Sequence, residues 1–131
     1  MRYLLDTGVW LWSIDPVEKL NKTARTLLAD GQQEIFFSAV VAWELAIKAA
    51  LKKLNLPSTP AECIPAFTRR QGLLPLVITQ PHAIKVYDLP HHHADPFDRL
   101  LIAQAILEDM TILTADRIFG KYPVEIVWCG K

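Results

Sequence analysis

Cysteine is nearly absent from this chain: two in 131 residues, Cys63 and Cys129, at no metal-ligand spacing. Both are expected as free thiols in a reducing compartment. A net charge is absent as well, because 14 Lys and Arg balance 14 Asp and Glu. No global field draws nucleic acid, so such a partner has to be held by a local patch. No apolar run approaches the ~20 residues that cross a bilayer. The opening Met1-Arg2-Tyr3-Leu4-Leu5-Asp6 breaks its apolar stretch too early for a secretory leader, which makes the cytoplasm the expected location. Repeats, linkers and low-complexity tracts are missing too. What remains is a chain that is 51% hydrophobic and 21% charged, composition enough for one domain, residues 1–131, with its own core.

Short apolar runs alternate with helical patterns. Tyr3 to Leu5, Ile35 to Phe37, Leu73 to Ile78, Thr111 to Leu113 and Val124 to Trp128 read as strands. Between them, Val9 to Ile14 reads as a helix stopped by Asp15-Pro16, and Asn21 caps a helix to Ala29. Ser38 opens a long helix expected to reach Leu54. Thr59-Pro60-Ala61-Glu62 is a helix start whose helix ends near Gly72, and Gln80 to Tyr87 forms another helical piece. Asp95-Pro96 opens a helix to Asp109, and Asp116 to Phe119 is a short helical turn. This alternation predicts an α/β fold with a mostly parallel sheet covered on both faces.

Acids stand at the ends of these segments: Asp6, Glu44, Asp98 and Asp116. In a parallel sheet the ligand crevice lies beyond the carboxyl ends of the strands. Asp6 follows the first strand, and Asp116 closely follows the strand ending at Leu113, so topology alone places both at that edge. Carboxylates gathered in one cleft repel each other and raise their pKa values unless a cation sits among them. A hard divalent ion with oxygen ligands is the simplest such cation, which makes the chain a candidate metal-dependent hydrolase.

Each acid also has a plain structural role open to it. Asp6 and Asp116 suit turns or helix caps. Asp95 and Asp98 suit the first turn of a helix, where they favour the dipole. Glu44 shares a helical stripe with Lys48 and Lys52, the pattern of a solvated Glu–Lys pair or of an acid beside two phosphate-binding lysines. Thr7, Ser38 and Thr114 are read as helix caps first and as groups steadying a carboxylate or bound water second. Arg99 and Arg117 follow acids directly and could meet substrate. His91-His92-His93 lacks spacing for one ion and is expected to be a solvated loop. Trp10, Trp12 and Trp43 are read as core or interface residues.

Several stretches, in order, resemble the PIN-domain family and, within it, the VapC-type toxin ribonucleases of bacterial toxin–antitoxin pairs. They are Tyr3-Leu4-Leu5-Asp6-Thr7; Ser38 through Lys48, continuing to Lys53-Leu54 and Leu56-Pro57; His92 through Ala105, with Asp95-Pro96-Phe97-Asp98-Arg99 at its centre; and Leu113-Thr114-Ala115-Asp116 with Phe119 and Tyr122. The resemblance implies a PIN-like three-layer α/β/α domain with about five short strands. It further implies that Asp6, Glu44, Asp98 and Asp116 bind Mg²⁺ or Mn²⁺ and that Asp95 is an accessory acid or cap. Lys48, Lys52, Arg99 and Arg117 become RNA phosphate contacts, with an antitoxin partner and a homodimer. Ala94 departs from the pattern, standing where a basic residue is often found. A non-catalytic RNA- or partner-binding module, a metal-dependent phosphatase and a DNA nuclease remain open alternatives. Gly8 occupies the position where the phosphatase would need its second acid.

Overall fold

The computed structural model describes Met1–Lys131. Its centre is a five-stranded sheet of order β3-β2-β1-β4-β5, parallel throughout. The strands are β1 (Arg2–Leu5), β2 (Glu34–Ser38), β3 (Leu74–Leu76), β4 (Thr111–Thr114) and β5 (Ile126–Trp128). Neighbouring side chains on a strand point to opposite faces. Leu4, Leu5, Ile112 and Leu113 are all fully buried, so both faces of the sheet centre are covered. That is why these strands read as unbroken apolar runs rather than as alternating ones.

The helices are α1 (Thr7–Ile14), α2 (Lys22–Ala29), α3 (Ala39–Ala50), α4 (Pro60–Arg70), α5 (Gln80–Lys85) and α6 (Pro96–Glu108). Short 3₁₀ turns follow at Val17–Lys19, Val86–Asp88 and Arg117–Lys121. Three caps are as the sequence predicts. Asn21 accepts from the Ala24 N–H at 2.9 Å, Ser38 from Val40 at 3.0 Å, and Asp95 from Asp98 at 3.0 Å. The Thr59 side chain, by contrast, makes no capping bond to the backbone of α4 and donates to the Glu62 carboxylate at 2.9 Å.

α3 stops at Ala50, short of the expected Leu54. Lys52 adopts a left-handed conformation (φ 58°), and the Lys53 N–H reaches back to Lys48 O at 2.9 Å. This is the helix stop usually built on glycine, here made with lysine, so no residue type announced it. β3 is shorter than expected because only Leu74, Pro75 and Leu76 pair with β2. Pro75 is tolerated because β3 lies at the sheet edge.

Candidate active site

The chain lays down β1, β2 and β3 outward in one direction, then returns to place β4 on the other side of β1. A crevice opens at such a switch point, beyond the carboxyl ends of the two central strands. Asp6 is the first residue past β1. Its N–H donates to Leu113 O at 3.1 Å, carrying the β1–β4 ladder one step beyond Leu5. The carboxylate caps α1 by accepting from the Val9 N–H at 2.7 Å, and it also accepts from the Thr114 hydroxyl. Cap and strand-end acid are therefore the same residue, and it is only 6% exposed.

Thr114 ends β4, and its oxygen accepts from the Asp116 N–H at 3.0 Å. One hydroxyl thus joins Asp6 to the turn that carries Asp116. Asp116 itself is exposed and caps the following 3₁₀ turn through Ile118 N–H at 3.1 Å. It lines a cleft of about 580 Å³ with Asp6, Gly8, Trp12, Arg117 and Trp128.

α3 turns Val40, Val41, Glu44 and Leu45 inward. Glu44 is accordingly 5% exposed and not part of a solvated stripe. Its Oε1 accepts from the Thr7 hydroxyl at 2.6 Å and its Oε2 from Lys48 Nζ at 2.5 Å. At the start of α6, Asp95 takes the capping bond, which leaves the Asp98 carboxylate to meet His93 Nε2 at 3.1 Å.

These acids share one electrostatic field. Burial, chiefly, pushes Asp6 up to about 7, with the charges of Asp98 and Asp116 adding to it, while the bonds from Thr114 and Val9 oppose the shift. Burial also leads the rise of Asp98 to about 6, reinforced by Asp95 and Glu44 and opposed by His93. No three His, Cys, Asp or Glu side chains lie close enough together, as they stand, to hold a metal ion. Donor chemistry and charge nevertheless suit a hard divalent ion: the side chains offer carboxylate oxygens, the acids raise one another's proton affinity, and Mg²⁺ keeps several waters of its own. Burial and then the Asp6 charge push the Cys129 thiol up to about 12, which disfavours its thiolate. Both cysteines are free and buried, as expected.

A model of the PIN domain matches residues 3–125. The chain belongs to the PIN-domain family. Ribonuclease VapC16 of Mycobacterium tuberculosis is 37% identical to this PIN domain over 65 residues, covering 50% of this chain and 45% of the relative. The match therefore spans less than half of that relative's length. Among solved structures, VapBC2 from Rickettsia felis bound to a promoter DNA fragment superposes with TM-score 0.74 at 18% identity, over 98% of this chain and 99% of that chain. DNA-bound VapBC from Salmonella typhimurium gives TM-score 0.72 at 18% identity, over 97% of each chain. At these identities the likeness is one of fold.

Within this PIN domain several expected contacts are corrected. Arg99 is not at the cleft surface. It is 7% exposed, and its guanidinium is consumed by the carbonyls of Pro90 (2.8 Å), Val86 (3.3 Å) and Leu89 (3.5 Å) and by the Tyr122 hydroxyl (3.1 Å). Lys52 leaves the Glu44 stripe because the helix has already ended. Ser38 sends its proton to Gln104 Oε1 at 2.5 Å rather than to an acid. His93 is not solvated: it bridges Tyr122 and Asp98, whereas His91 and His92 are exposed. Lys48 stays beside Glu44, and Arg117 lines the cleft with its guanidinium 5.1 Å above the Trp128 ring. Trp10 is core, Trp12 lines the cleft, and Trp43 is half exposed with its ring edge-on to Phe97. Tyr122, Gln104 and His82 were not anticipated as polar network members. His82 is 2% exposed and bonds Glu108 at 2.8 Å, and only its helix-start position beside Thr79 hinted at an inward turn.

Proposed function

We propose that this PIN domain is a Mg²⁺- or Mn²⁺-dependent endoribonuclease, the toxin of a toxin–antitoxin pair. The observation that carries this is the gathering of Asp6, Glu44, Asp98 and Asp116, in which burial first, and the charges of Asp98 and Asp116 after it, hold a proton on Asp6 up to about neutral pH. Their oxygens are the donors that would hold the ion. Once bound there, a divalent cation supplies the charge that acidifies a water and steadies a phosphoryl group during displacement. The chain's own groups do the rest. Val9 and Thr114 hold the Asp6 carboxylate in one orientation, and Thr7 does the same for Glu44. Lys48 is kept protonated chiefly by its bond to Glu44, with Asp95 and Asp98 adding to the effect, so a fixed cation stands at the edge of the acids where a phosphate approaches. Arg117 offers a second cation from the cleft wall.

RNA rather than DNA rests on the named ribonuclease relative. A cognate antitoxin, a homodimer and a cytoplasmic location belong to the same proposal. Exposed apolar residues support a partner surface: Val77 is 67% exposed, Ile84 68% and Tyr87 90%. Purified protein given cellular RNA and Mg²⁺ or Mn²⁺ is expected to cut it, with the cuts lost in EDTA and in Asp6→Asn and Asp98→Asn. Equal cleavage by folded Asp6→Asn would overturn the proposal.

A further inference from the structure

His93 joins the acid field to a buried polar cluster, and the direction of every bond in that link follows from its far end. Arg99 can only donate, and its Nη1 gives a hydrogen bond to the Tyr122 hydroxyl at 3.1 Å. Tyr122 is 4% exposed, and no buried polar side-chain atom in the molecule lacks a partner. With Arg99 already donating to it, the Tyr122 hydroxyl has His93 Nδ1, at 2.7 Å, as the neighbour left to take its own proton. Nδ1 is then an acceptor, and the ring proton sits on Nε2, which donates to Asp98 Oδ2 at 3.1 Å.

We infer that His93 is a positioning residue for Asp98, set in a single tautomer by the chain Arg99 to Tyr122 to His93. The bond turns the carboxylate from the protein side. It commits Oδ2 to the protein and leaves Oδ1 without a hydrogen bond, open to an ion. Arg99 is itself clamped by the carbonyls of Val86, Leu89 and Pro90, so the loop ahead of α6 determines where the acid points. Partners of this kind on a ligating group typically change metal affinity by ~10- to 100-fold. The inference rests on the metal-dependent function proposed above, and its first test needs no metal.

Long-range ¹H–¹⁵N correlation on the metal-free protein is expected to show His93 as the Nε2–H tautomer. Tyr122→Phe, which keeps the ring and loses only the hydroxyl, is expected to abolish that preference. Calorimetric titration with Mn²⁺ is expected to show about 10-fold weaker binding for His93→Ala. His93→Gln, whose amide can still donate to Asp98, is expected to recover most of that loss. An Nδ1–H tautomer in the unmodified protein overturns the inference, as does unmodified Mn²⁺ affinity in folded His93→Ala. If the unmodified protein binds no Mn²⁺, the metal function fails while the tautomer still decides the hydrogen-bond chain.

Discussion

Asp6 is held in place by bonds that favour its charge and surrounded by groups that oppose it. In the folded chain its carboxyl stands at about 7 against an ordinary 3.8. Between those pH values the folded state binds a proton that the unfolded state does not. The metal-free protein therefore loses stability as pH rises from about 4 to about 7, by on the order of 3 to 4 kcal/mol from this group, and loses no more above that. Thermal melts in EDTA are expected to show this decline for the unmodified chain and a weaker one for Asp6→Asn, which is expected to melt higher than the unmodified chain at pH 8. Added Mg²⁺ is expected to raise the unmodified melt at pH 8 and to leave Asp6→Asn nearly unmoved. Asp6 and Asp116 were legible in the sequence because a strand end fixes their place. Glu44 was not, since a Glu–Lys pair four residues apart looks the same in solvent as in a cleft. The place of Arg99 is not legible either, because its partners are the carbonyls of Val86, Leu89 and Pro90, and nothing in its own neighbourhood of the sequence shows where that loop goes.

At the scale of elements, the caps that carry their usual residues were read correctly and the unusual stop was not. The helix-opening roles of Asn21, Ser38 and Asp95 could be read because short polar side chains before an apolar run satisfy the first free N–H groups. The end of α3 could not, because Lys52 holds a left-handed conformation that glycine adopts without cost. Lys52→Gly is expected to stabilise the fold by about 1 kcal/mol, a melting shift of about 3 °C, with RNA cleavage unchanged. Asp95→Ala removes the cap of α6 and is expected to cost about 1 kcal/mol in denaturant unfolding. Because α6 also carries Asp98, that variant is expected to lower cleavage further than its stability loss accounts for. Equal proportional losses would make Asp95 a cap and nothing more.

Across the whole molecule, the parallel sheet was readable because burial on both faces leaves unbroken apolar strands between helices. The strand order was not readable, since pairing partners are far apart in sequence, yet the order β3-β2-β1-β4-β5 is what creates the crevice at Asp6 and Thr114. The exposed apolar residues Val77, Ile84 and Tyr87 lie outside the acid cleft's lining. Ile84→Glu with Tyr87→Glu is expected to shift the protein from dimer to monomer in sedimentation while leaving Mn²⁺ binding intact. A monomeric unmodified protein would remove the dimer from the account.

A cation site built from these carboxylates, with Asp6 at its heart, would bind a divalent ion only as their protons leave. Calorimetric titration of Mn²⁺ at pH 6.5, run in two buffers of different ionisation enthalpy, tests it most directly. Binding at pH 6.5 is expected with net proton release as Asp6 and Asp98 give up their protons, with little release at pH 8 and no measurable binding by folded Asp6→Asn. Undiminished binding by Asp6→Asn, or binding at pH 6.5 without proton release, would contradict it.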